Sequence, residues 1–169
     1  YLPAQDMYIP KETKINSEIE RLRIEATASL VNRNDVIVIA SVSAIYSLGN
    51  PADYRSLTIR LRVGEKRARS ALIAQLVDIQ YQRNDVERAS GTFQVLGNAI
   101  VLWLPYVQDN VRIELYGDHV ERIEFVDRAN HRVLRAVDNI IIFPAKHFVT
   151  TPAQRESAIH AIQQDLKEA

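Results

Sequence analysis

The run Val36-Ile37-Val38-Ile39-Ala40 restricts the fold more than any other stretch of this chain. An unbroken apolar run of this length suits a strand covered on both faces, as in a parallel sheet with helices on either side. It follows the polar Asn32-Arg33-Asn34-Asp35, and no second run of its kind adjoins it. A lone strand of that sort can neither bury both faces nor pair both edges. Residues 1–56 are therefore expected to be part of a larger α/β domain, most of which lies elsewhere. The opening on Tyr1 rather than Met fits a piece of a longer protein. Ahead of the run, Pro3 and Pro10 mark an extended or looped arm. Asn16 can cap a helix in which Ile15, Ile19, Leu22, Ala26 and Leu30 recur at helical spacing. Beyond the run, a short helix is predicted to end at Gly49, with a turn at Asn50-Pro51.

The character of the chain then changes. Leu57 to Val63 reads as a strand, and a long amphipathic helix is predicted from about Glu65 to Tyr81, burying Ala68, Leu72, Leu76 and Ile79. An antiparallel meander follows. In Thr92 to Leu96, Phe93 and Val95 face one way, and Thr92, Gln94 and Leu96 the other. Gly97-Asn98 turns the chain into Ala99 to Leu104. Val111, Ile113 and Leu115 alternate with Arg112, Glu114 and Tyr116, and Gly117-Asp118 turns into His119 to Asp127. Short strands are predicted at Arg132 to Val137 and Ile140 to Phe143. A last helix has Thr151 as cap, Pro152 in its first turn and Gln154 closing a capping box. The fold class is α+β: residues 57–149 form a mainly antiparallel sheet domain with one long helix, attached to a fragment of an α/β domain. Residues 150–169 return as a helix towards that fragment.

Catalytic motifs are absent from the sequence. The five glycines form neither GxGxxG nor GxxxxGK[ST], and there is no GxSxG elbow. Cysteine is absent, which excludes disulfides and thiolate metal sites and is compatible with a cytosolic address. His119, His131, His147 and His160 lack metal-ligand spacing and read as structural or surface residues. Ser41-Val42-Ser43 sits where a doubly wound sheet places ligand contacts, but reads more readily as a serine-rich turn capping the following helix. Net charge is zero, so bulk electrostatics demands neither nucleic acid nor membrane. The local cluster Arg60, Arg62, Lys66, Arg67 and Arg69 fits either phosphate contacts or the solvated face of a strand and helix. Tyr1 and Tyr8 could stack on bases or pack onto a core.

Asp35 to Tyr46 (DVIVIASVSAIY), followed by Leu48-Gly49, resembles a segment of the UvrB family that ends one strand of its first helicase-like domain. Tyr81-Gln82-Arg83-Asn84-Asp85, Arg88 and Gly91-Thr92-Phe93 resemble the start of that family's UvrA-binding domain. Phe143-Pro144-Ala145 and His147 to Thr150 are similar to its exit. The resemblance covers essentially the whole chain. It implies a piece of a bacterial nucleotide excision repair subunit, with part of a P-loop-type helicase-like domain and the end of its β-hairpin arm over residues 1–56, and the UvrA-docking domain over 57–149. The ATP- and magnesium-binding motifs, and the contacts with damaged DNA and UvrC, would belong to the parent outside this segment, leaving this chain without an enzymatic activity of its own. Tyr1 and Tyr8 resemble aromatics of the family's DNA hairpin arm. Arg83 matches an arginine that helps to bind UvrA, whereas Gln94 and Leu96 stand where the family usually has two more. The resemblance thus marks Arg83, Gln94 and Leu96 as the docking set. A direct nucleic-acid binder using Arg60 to Arg69 is the alternative.

Overall fold

The computed structural model describes residues 17–42, 51–146 and 152–168. It is an α+β structure built largely from antiparallel strands. In chain order it comprises α1 (Ser17–Asn32), α2 (Pro51–Ser56), β1 (Ile59–Arg62), α3 (Arg69–Asp78), β2 (Gln82–Arg83), β3 (Thr92–Leu96), β4 (Ala99–Trp103), β5 (Asn110–Tyr116), β6 (His119–Val126), β7 (Val133–Ala136), β8 (Asn139–Ile142) and α4 (Pro152–Glu168). Strands β2 to β7 lie side by side in sequence order, and β1 pairs with β8 in a separate ribbon.

Gly97 and Gly117 adopt left-handed φ of 57° and 60°, the conformation a tight hairpin turn requires and side chains with a Cβ resist. These turns fix the register, because a one-residue slip would exchange the two faces of each strand. Phe93 is opposite Leu102, and Leu102 opposite Val111; Val95, Ile100, Ile113 and Ile123 form the next row. That face, with Leu72 and Leu76 of α3 and Ile140 and Ile142 of β8, makes the main core.

Several expectations change. The helix expected over Glu65 to Tyr81 is shorter, Arg69 to Asp78: Ala68 is its exposed N-cap, and Gln80 turns left-handed at φ 71° to end it. Leu72, Leu76 and Ile79 are buried as the spacing predicts. In α1 the buried residues are Ile24 and Ala28, not the stripe of Ile19, Leu22 and Leu30, which is exposed. Pro51 opens helix α2 instead of a plain turn, its fixed φ suiting a first helical position. Edge strand β2 was not predicted, and it runs parallel to β3. Thr92, expected on the outer face, is buried, and its Oγ1 donates to the Ala89 carbonyl at 2.6 Å.

Val36 to Ala40 form neither helix nor strand and belong to no sheet among the described residues. Ile37 and Ile39 are 91% and 97% exposed. Tyr1, Tyr8, Asn16, Ser43, Gly49, His147 and Thr151 lie outside the described residues. No helix among the described residues is long and apolar enough to cross a membrane.

Candidate functional site

Residues directly opposite one another in adjacent strands share a face of the sheet. Gln94 is opposite Val101, Val101 opposite Arg112, Arg112 opposite Glu124, and Glu124 opposite Ala136. Leu96 is opposite Ala99, Ala99 opposite Glu114, and Glu114 opposite Arg122. These rows lie on the face turned away from the main core. The outer face is polar in its middle and apolar at one end. There, Trp103 and Val126 are buried, as is Val101 between Gln94 and Arg112, and all three stand outside the main core cluster.

Asp85 organises the edge nearest Gln94. One carboxylate oxygen accepts from Arg83 Nε and Nη2, both at 3.0 Å. The other accepts from the Val95 main-chain N–H at 3.3 Å. The Asp85 carbonyl accepts from Gln94 Nε2 at 2.9 Å. The Arg83 hydrogen bond, helped by the Val95 N–H, holds the Asp85 carboxyl below the usual carboxylate range. Arg83 and Gln94 thus meet through one residue. Leu96 stands two positions further along β3, 53% exposed.

A second charge group lies across the same face. Arg112 Nη2 contacts Glu124 at 2.7 Å and Glu114 at 3.1 Å. Arg112, Glu114 and Asp85 were not singled out from the sequence. The signal for the first two was present: alternation in β5 puts Arg112 and Glu114 outward, in the same cross-strand rows as Gln94 and Leu96 once the register is fixed.

The basic cluster is divided. Lys66 pairs with Asp118 at 3.2 Å, Arg67 with Glu65 at 3.0 Å and with Gln75 at 2.9 Å, and Arg69 donates to the Gly97 carbonyl at 2.6 Å. Arg60 and Arg62 are exposed on β1, with no ion-pair partner among the described residues. A groove of about 390 Å³ between residues 56–60 and α3, flanked by Arg60, Arg67, Gln75 and Asp78, lies apart from the Asp85 patch. The described histidines are dispersed: His119 contacts Asp118, His131 contacts Arg88, and His160 is exposed. No cluster of metal-binding side chains occurs among the described residues. Ser41 and Val42 are exposed.

Against known proteins, residues 59–148 match the family model described as the UvrB interaction domain. Proteins named UvrABC system protein B are similar along nearly the whole chain. The one from Geobacillus kaustophilus is 47% identical over 170 residues, covering 99% of this chain and 26% of that protein. The one from Methanosarcina acetivorans is 44% identical over 168 residues, covering 99% and 25%. The one from Rhodopirellula baltica is 43% identical over 166 residues, covering 98% and 23%. The chain therefore spans about a quarter of the length of the curated relatives it matches. With the domain model matching more than half of its residues, this chain belongs to the UvrB family.

Proposed function

We propose that this chain is the part of a nucleotide excision repair protein that docks UvrA, through the β2 edge and the adjoining outer face of the sheet in residues 57–149. The observation that carries the reading is the Asp85 patch, where Arg83 and Gln94 are tied to one carboxylate residue beside the exposed Leu96. The Arg112–Glu114–Glu124 group extends that patch across the sheet. An exposed leucine among fixed polar groups makes an interface in which an apolar contact is framed by charge-assisted hydrogen bonds. Gln94 and Leu96 replace the two arginines usual in the family, so the partner surface is co-adapted to a neutral strand. Residues 1–56 and 150–169 belong to the helicase-like core of the parent. ATP and magnesium, damaged DNA and UvrC are served by regions of the parent beyond this chain, which does not itself turn over ATP. The name of the matched domain and the shared length with UvrB relatives support this division.

Calorimetry with UvrA from the same source tests the docking face. Arg83→Ala and Leu96→Arg are each expected to weaken binding by about 1 kcal/mol, the net worth of a typical contact. Tighter binding by Leu96→Arg would mean that the interface is a degraded form of the usual one. The phosphate-binding alternative has lost most of its cations to internal contacts, and it would show steep salt dependence of nucleic-acid binding.

A further inference from the structure

The six-stranded sheet has two edges, and they are finished differently. At the β2 edge, Asp85 covers the Val95 N–H. At the other edge, β7 has no neighbour beyond it among the described residues, and every one of its side chains is exposed. Val137 N–H donates inward to the Ile123 carbonyl at 2.9 Å. Main-chain groups alternate in direction along an antiparallel strand, so those of Ala136 point to the open side. The register steps from Arg135 to Val133, passing over Leu134, which is 50% exposed. An open, partly apolar edge of this kind is a template for a further strand.

Charge defines what would fit there. From Arg128 to Val137 the sequence holds three arginines and no acidic residue. Arg128 is turned inward, donating to the Leu104 and Val107 carbonyls. Arg135 lies 3.9 Å over the Phe125 ring, which leaves the in-plane N–H groups of its guanidinium as donors. Arg132 has no ion pair among the described residues. Of the nearby carboxylates, Glu124 is committed to Arg112 and Asp127 to the Ala129 and Asn130 N–H groups, while Asp138 lies exposed just past Val137, beyond the strand. We propose that the β7 edge is a second docking surface, which takes an extended acidic segment of a partner protein as a seventh strand. The main chain of Ala136 supplies strand pairing, Val133 and Leu134 supply apolar contact, and Arg132 and Arg135 select acidic side chains.

The test uses the full chain, isotope-labelled, with a capped eight-residue peptide alternating glutamate and valine. A matching peptide of lysine and valine is the control. The glutamate peptide is expected to slow hydrogen exchange of the Ala136 amide at least tenfold, and the lysine peptide to leave it unchanged. The double variant Arg132→Glu, Arg135→Glu should abolish that protection, whereas Arg83→Ala, at the opposite edge, should not. Failure of the Arg83 docking reading would thus leave this result untouched. Equal protection by both peptides, protection confined to β2, or concentration-dependent pairing of two copies through β7 without peptide would overturn the proposal.

Discussion

Phe143 is held by its main chain from both sides. Tyr81 donates its hydroxyl to the Phe143 carbonyl at 3.1 Å, and the Phe143 N–H donates to the Tyr106 hydroxyl at 3.0 Å. Both tyrosines are buried, so each bond satisfies a group that water cannot reach. Tyr54 stacks on the Phe143 ring at 6.3 Å, yet its buried hydroxyl has no hydrogen-bond partner. The three look alike in sequence and should respond differently to losing one oxygen. Tyr106→Phe is expected to cost about 1–3 kcal/mol, because the Phe143 N–H is left unsatisfied. Tyr54→Phe should be neutral or slightly stabilising, and urea unfolding of the two variants checks the contrast. Burial also raises all three hydroxyl pKa values, that of Tyr54 to about 12. In the unfolded chain these groups release their protons near pH ~10, while the folded state retains them. Stability is therefore complete below about pH 10 and falls as pH rises through the folded values. Denaturation midpoints that stay flat from about pH 9 to about pH 12 would contradict this.

At the scale of elements, turn chemistry was the most legible part of the sequence. Gly97-Asn98 and Gly117-Asp118 fall between alternating segments, and β3 to β6 stand where the alternation places them. Strand β2 was not legible: it is only Gln82 and Arg83, too short to alternate, and its pairing with β3 is settled in three dimensions. The buried face of α1 is not legible from spacing, because Ile19, Leu22 and Leu30 compete with Ile24 and Ala28, and only packing decides between such stripes. The site was partly legible. Arg83, Gln94 and Leu96 were marked by resemblance, whereas Asp85, which joins the first two, is an ordinary loop aspartate until its contacts are seen. Helix α3 shows the same division of labour between spacing and packing. Leu76 is fully buried, whereas its neighbour Val77 is 51% exposed. Leu76→Ala should cost about 2–5 kcal/mol and Val77→Ala well under 1 kcal/mol, read from denaturant midpoints.

The whole molecule is unevenly finished. Residues 59–146 close two sheets around one core, but that core also takes in Ile24 and Ala28 of α1 and Tyr54 of α2. Residues 57–149 expressed alone should unfold cooperatively, at a lower denaturant midpoint than the full chain. A broad transition without a cooperative midpoint would show that the flanking helices are required for folding. Removing residues 1–56 has a second effect, which follows from the exposed run beside α1. Val36 to Val42 (VIVIASV) contains no charge and no proline and is rich in β-branched residues. Seven-residue windows of this composition stack readily into cross-β fibrils when nothing covers them. In concentrated solution the full chain is thus prone to assemble through this window, on a timescale set by nucleation. The shorter piece, though easier to unfold, would stay clear for longer.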